Sequence, residues 1–250
     1  MPIKTFKRYE VKYLVTPDQY RIIRSELDKY MVLDKFCRKK GSYMIYNVYF
    51  DTENDDVIRR SLAKPYYKEK LRMRSYTIPV SGEEEVFLEL KKKIGGIVTK
   101  RRAILTLNQA NNFLKNGLIP DCDDYKDRQV LAEIADFLSR YPAKPKVFIS
   151  YERTAFFAKD NPELRVSFDE NILTRRDQVD LSSGDFGTDL LADDRILMEV
   201  KCEGHIPLWL CQLLSQLKIY KTTFSKYGTE YKNYVKSRSE QRKYSQRKTA

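Results

Sequence analysis

In segment after segment of this chain, charged side chains stand at every second position with apolar ones between them. Arg8, Glu10 and Lys12 alternate with Tyr9, Val11 and Tyr13, Arg72 and Arg74 with Leu71 and Met73, and Glu89 and Lys91 with Leu88 and Leu90. Lys100 and Arg102 align likewise, as do Arg165, Ser167 and Asp169 against Val166 and Phe168, and Glu199 and Lys201 against Met198, Val200 and Cys202. Side chains of a strand point alternately to its two faces, so this period predicts strands with one charged and one apolar face. Any one such strand, taken alone, reads more readily as the solvated face of an ordinary antiparallel sheet. The joint pattern favours another reading, because the same Arg-x-Arg and Glu-x-Lys pairs recur where a solvated face would mix Glu, Lys, Ser, Thr and Gln. Apolar outer faces covered by helices and charged inner faces fit a barrel with a polar lumen. Charged walls facing one another there repel unless an anion or a metal lies between them.

The remaining signals place helices around these strands. Strands are predicted over 4–15, 43–51, 67–78, 85–93, 97–107, 146–158, 163–171 and 196–202 from their aromatic and β-branched content. Gly95-Gly96 marks a hairpin turn. Thr16 is a helix N-cap with Pro17 at the first helical position, and Ile22, Ile23, Leu27, Tyr30 and Met31 form that helix's buried stripe. Further helices are expected over 53–62, 108–116, 125–141 and 207–220, with a loop over 180–194. Residues 236–250 are polar and basic and carry no Leu or Ile, so a disordered tail is expected after a domain spanning 1–235.

The chain has 250 residues and a net charge of +12, which implies an anionic partner but does not choose among nucleic acid, a membrane surface and phosphate-rich small molecules. With His205 the only histidine, most His-based zinc sites and a His-dependent triad are excluded. Cys37, Cys122, Cys202 and Cys211 show no C-x-x-C spacing and are expected to be buried free thiols. No secretory signal or long uncharged apolar stretch is visible, and a cytoplasmic protein is expected. His205 and Trp209 read as packing residues.

Seven short motifs carry a resemblance: Arg8 to Tyr13 (RYEVKY), Lys70 to Arg74 (KLRMR), Leu88 to Lys91 (LELK), Tyr151 to Phe156 (YERTAF), Arg165 to Asp169 (RVSFD), Met198 to Lys201 (MEVK) and Phe224 to Tyr227 (FSKY). In this order they resemble the VTC domain, the polyphosphate polymerase module of the CYTH-like triphosphate tunnel metalloenzyme superfamily. The resemblance implies an α+β fold built on a closed antiparallel eight-stranded β-barrel, the triphosphate tunnel, with helices packed outside. It implies Mn²⁺ or Mg²⁺ as cofactor, ATP and inorganic polyphosphate as partners rather than nucleic acid, and room for peripheral association with a membrane protein. Lys12, Arg72, Arg74, Lys91, Arg153 and Lys201 would be catalytic, and Arg8, Lys100, Arg102, Arg165 and Lys226 would bind phosphate. Glu199, Glu10 and Glu89 would hold the metal.

Phosphoryl transfer needs positioning and charge neutralisation more than a nucleophilic side chain, so the lack of a catalytic His or Cys is no objection. Arg grips phosphate oxygens in a fork and Lys acts as a point charge. Three alternatives stand beside polymerisation. A triphosphatase on the same barrel would use water as acceptor; hydrolytic relatives resemble Glu-x-Glu-x-Lys at the first strand, where this chain has Arg8. A sensor would bind polyphosphate without turnover. A nucleic-acid binder would stack bases on the 18 tyrosines, but no basic recognition helix or Gly-rich phosphate loop is present.

Overall fold

Thr16 caps the first helix as its place before Pro17 predicts. Its hydroxyl accepts from the Gln19 amide at 3.2 Å, and the Gln19 side chain accepts from the Thr16 amide at 2.9 Å. This reciprocal pair satisfies two of the orphan donors at a helix start. The protein is seen here as a computed structural model that describes residues 8–122, 124–192 and 194–248. Residues 4–7 of the expected first strand lie outside the described residues. In chain order the elements are β1 (Arg8–Val15), α1 (Pro17–Tyr30), β2 (Met31–Leu33), β3 (Tyr43–Asp51), α2 (Asp56–Leu62), β4 (Tyr67–Ser75), β5 (Glu85–Ile94) and β6 (Ile97–Thr106). They continue with α3 (Leu107–Asn116), α4 (Tyr125–Arg140), β7 (Lys144–Ala158), β8 (Arg165–Arg175), β9 (Thr188–Asp189), β10 (Ile196–Glu203), α5 (Leu208–Gln216), β11 (Lys221–Thr222) and α6 (Lys226–Lys248).

The chain divides into two compact units. The first takes the segments up to Ile45, Ser150–Leu173 and Leu191–Phe224; the second takes Tyr46–Ile149, Thr174–Leu190 and the chain from Ser225 on. In the first unit β1 lies between β10 and β11, and β10 continues to β8, all antiparallel. Its core joins the apolar strand faces (Tyr13, Val166, Phe168, Met198, Val200) to Ile23 and Leu27 of α1 and to Leu210 and Leu214 of α5. Trp209 stacks on Tyr30 at 4.2 Å, as a packing residue should, whereas His205 is exposed.

In the second unit β3, β4, β5 and β6 form consecutive antiparallel pairs. Leu71, Met73, Leu88, Leu90 and Ala103 are buried, and α3 and α4 pack on β5 and β6. Asp51 is fully buried and accepts from the amides of Val57 and Ile58 at the start of α2 and from the Tyr227 hydroxyl at 2.7 Å. That carboxylate therefore ties the end of β3 to both α2 and α6.

The expected closed eight-stranded barrel is not found among the described residues. Strand order is β11-β1-β10-β8-β7-β3-β4-β5-β6, with β2 added to β7 and β9 to β8, which makes eleven strands among the described residues. The end strands β11 and β6 are not paired with each other, and β11 has two residues, too few for the long stagger that closure demands. Residues 236–248, expected as a disordered tail, continue α6. The stretch lacks Gly and Pro and is rich in Lys, Arg, Gln and Glu, which propagate a helix once it has started. Among the thiols, Cys37 and Cys202 are buried, but Cys211 is exposed and Cys122 half-buried. No described helix is long and apolar enough to cross a membrane.

Candidate functional site

The register of β4, β5 and β6 arranges the charged face of the second unit in rows. Tyr49, Arg72, Glu89 and Arg102 stand opposite one another, and one step along lie Lys70, Lys91 and Lys100. The row on the other side sets Asn47 against Arg74 and Phe87. Glu89, only 1% exposed, is the centre. Its carboxylate accepts from Arg72 Nε at 2.6 Å, Arg102 Nε at 2.9 Å and Lys100 Nζ at 3.1 Å, and Arg74 Nε lies 3.9 Å away. Burial would raise this carboxyl, but the charges of Arg72, Arg74 and Lys100 and the Arg102 hydrogen bond outweigh it and hold it well below the ordinary carboxylate range. Lys100 is pushed below the usual lysine value, first by burial and then by Arg102 and Arg72, against the pull of Glu89. The arginines are also aimed by neutral groups. Arg74 Nε donates to Asn47 Oδ1 at 2.9 Å, Asn47 donates on to the Ile149 carbonyl at 3.0 Å, and Arg72 donates to the Tyr49 hydroxyl at 3.3 Å. Burial would raise the Tyr76 hydroxyl, but Arg74 and Arg102 bring it below its ordinary value.

A second cluster stands in the first unit. Lys12 faces Glu199 across the β1–β10 pair, and Glu199 faces Ser167 on β8; the next row is Glu10, Lys201 and Arg165. Lys12 Nζ lies 3.2 Å from Glu199 and 3.3 Å from Glu10, and Lys201 Nζ lies 3.3 Å from Glu199. Burial would lower the Lys12 ammonium, but Glu199 and Glu10 raise it above the usual lysine range. Arg153 grips Asp169 with both Nε, at 2.6 Å, and Nη2, at 2.7 Å, and its Nη2 is 3.7 Å from Glu199. Arg165 donates from Nη2 to Asp34 at 3.2 Å and to the Tyr43 hydroxyl at 3.3 Å. Its Nε is buried and has no hydrogen-bond partner among the described residues.

Each sequence-predicted position can thus be placed. Arg72, Arg74, Lys91, Lys100 and Arg102 come together in one unit, and Lys12, Arg153, Arg165 and Lys201 in the other. Lys91 is exposed, and Lys226 is half-buried at the start of α6 in the second unit. Arg8 pairs by its backbone with Glu203, and its side chain lies outside the described residues. The sequence reading missed Asn47 and Tyr49, which aim the arginines. Their signal was a run of polar groups at every second position (Asn47, Tyr49, Asp51) inside an apolar strand.

Of the three carboxylates expected to hold the metal, Glu10 and Glu199 lie in the first unit and Glu89 in the second. Among the described residues, no group of three or more His, Cys, Asp or Glu side chains is arranged to hold a metal ion. Glu89 is a poor ligand, since four cations already occupy its surroundings. Glu199 is likewise met by three cations, Lys12, Lys201 and Arg153, but it and Glu10 converge on one cation position, that of the Lys12 ammonium. Two carboxylates suffice for Mg²⁺, which completes its shell with water and substrate phosphate oxygens. The mutual repulsion expected of the charged walls is also reduced, because Glu89 and Glu199 stand among the cations of their own units.

A family model, the VTC domain, matches residues 7–235. No curated protein matches the chain. Among solved structures, a Bacillus halodurans protein provisionally assigned as an adenylate cyclase superposes with a TM-score of 0.52 at 15% identity, covering 86% of this chain and 92% of its own. A Vibrio parahaemolyticus protein with the same assignment gives a TM-score of 0.44 at 10% identity, covering 90% of this chain and 98% of that one. The first of these likenesses is one of fold, a mixed α+β chain built on a large antiparallel sheet.

Proposed function

The chain belongs to the VTC-domain family of triphosphate tunnel proteins, and from that premise we propose that it transfers the γ-phosphate of ATP onto a growing inorganic polyphosphate chain. The observation that carries the reading is the cross-strand row Lys70–Lys91–Lys100 beside Arg72–Glu89–Arg102. Like charges directly opposite one another cost stability in a sheet, so three lysines in one row make sense where a polyanion lies along them. Arg165 Nε, a buried donor without a partner among the described residues, adds a second place for a phosphate oxygen.

In the reaction the terminal oxygen of the polyphosphate acceptor forms a bond to the γ-phosphorus. The bond from that phosphorus to the β–γ bridging oxygen breaks, and ADP leaves with its electron pair. The acceptor is already an oxyanion, so no general base is needed. Arg72, Arg74 and Arg102, preset by Glu89, Asn47 and Tyr49, supply guanidinium forks for the equatorial oxygens. Lys12, Lys201 and Arg153 stand together in the first unit as a separate set of positive charges for phosphate. Mn²⁺ or Mg²⁺, when bound, supplies charge neutralisation at phosphate oxygens, and Glu199 with Glu10 would hold it.

Purified chain given ATP and Mn²⁺, with and without a short polyphosphate primer, decides the matter. We expect ADP and a ladder of polyphosphate on a gel, free phosphate as a minor product, and a shorter lag with primer. Phosphate released almost wholly free, with no ladder, would replace transfer by hydrolysis. Cyclic AMP with pyrophosphate would instead place the chain with the assignment carried by the Bacillus halodurans protein.

A further inference from the structure

The end of the β5–β6 hairpin carries apolar side chains that nothing in the phosphate chemistry uses. Ile94 is 44% exposed, Ile97 53% and Val98 48%, and Tyr66, on the loop beside the turn, is 77% exposed. Tyr66 belongs to the same feature, since its carbonyl accepts from the Gly95 amide at 3.0 Å. The tip is hemmed by lysines. Lys68 pairs across the strands with Lys93, and the next row is Lys70, Lys91 and Lys100. From Lys91 to Arg101 the chain has five cations and no carboxylate. The acids nearest the tip are already engaged: Glu69 with Arg140 and Glu133 with Lys92 and Arg101 on the face of Ile94 and Ile97, and Glu89 with Lys100 on the face of Lys91 and Lys93. Lys68 sits below the usual lysine value, through burial first and then through the charges of Lys93, Lys64 and Lys91.

Apolar groups held out in water beside crowded cations ask for a surface that is apolar inside and anionic outside. We infer that the Tyr66 loop and the β5–β6 hairpin end form a docking surface for an anionic lipid bilayer. Ile94, Ile97 and Val98 enter the boundary of headgroups and acyl chains, Tyr66 sits at headgroup level, and Lys64 and Lys93 meet lipid phosphates and carboxylates. A soluble polyanion would satisfy the lysines but leave the apolar tip in water, so the combination favours a membrane over free polyphosphate. The surface stands whether the phosphate site transfers or hydrolyses, and its test does not depend on turnover.

The test is sedimentation of the intact chain with phosphatidylcholine vesicles, with and without phosphatidylserine. Binding is expected only where phosphatidylserine is present. An Ile94→Asp/Ile97→Asp variant and a Lys64→Glu/Lys93→Glu variant should each lose roughly tenfold of the vesicle-bound fraction. Both should keep the parent's melting temperature and its affinity for tripolyphosphate, which shows that the loss is local. High salt should weaken the parent more than it weakens the lysine variant, since only the parent retains the full electrostatic share. Failure of the parent to sediment with phosphatidylserine vesicles overturns the proposal. So does undiminished sedimentation of both variants, which would move the attachment to another part of the chain such as basic α6.

Discussion

A carboxylate ringed by Arg72, Arg74, Lys100 and Arg102 behaves unlike one in water, and Glu89 makes this measurable. Its folded value is depressed, so its contribution to stability is fully present above the unfolded carboxyl's value of about 4.3 and is lost as pH falls through the lower folded value. Glu89→Gln should cost about 3 kcal/mol near neutral pH. That is the low end for breaking a buried pair, because Lys100 and Arg102 keep part of their solvent. The gap between parent and variant should stay level down to the unfolded value and close below it. Urea unfolding at a series of pH values checks this, and a gap that persists undiminished into strong acid would mean that packing, not charge, explains Glu89. The alternation of the strand had placed Glu89 on the charged face correctly. It could not say which cations Glu89 meets, since partners on other strands depend on register.

At the scale of the element, the β5–β6 hairpin shows how local sequence and tertiary contact share the work. Gly95 has φ +54° and Gly96 φ +93°, conformations that L side chains rarely adopt, and Ile94 pairs with Ile97 across the two. The turn was therefore legible from Gly-Gly alone. The contact was not: a Cβ on Gly95 would stand 3.1 Å from the Tyr66 ring, whereas one on Gly96 would meet nothing within 4 Å. Gly96→Ala should cost about 1 kcal/mol from backbone strain. Gly95→Ala should cost that and a further few tenths, because the exposed Tyr66 ring can swing aside. Equal melting temperatures for the two variants would show that Tyr66 yields freely, and a much larger loss in Gly95→Ala that it is fixed. In α6 local sequence and expectation diverged. Its first turns are held by Tyr227 on Asp51 and by Glu230 on Arg176 at 2.7 Å, contacts from distant segments that start a helix which the polar basic stretch then propagates. No periodicity within 236–248 announces them.

For the whole molecule, the net charge of +12 makes ligand binding and stability two views of one balance. Tripolyphosphate at a hundred times its Kd should stabilise the fold by about 2.7 kcal/mol, and at fixed ligand concentration that gain should shrink as salt rises, since the contacts are charge-assisted. Melting curves at several salt concentrations read both, and a gain indifferent to salt would argue against cation-based binding. Much of this molecule could be read along the chain. Which face each of Lys12, Arg72, Arg74, Glu89, Lys91, Glu199 and Lys201 takes, where α1 starts and where the hairpin turns all follow from near neighbours, because strand pleat, helix caps and glycine turns are local physics. Which carboxylate serves which cation, the open order from β11 to β6, the short strands β2, β9 and β11, and the helical course of α6 were decided only by the tertiary structure. Those outcomes depend on inter-strand register and on contacts between segments far apart in the chain, and a period of two is the same whether a sheet closes or stays open.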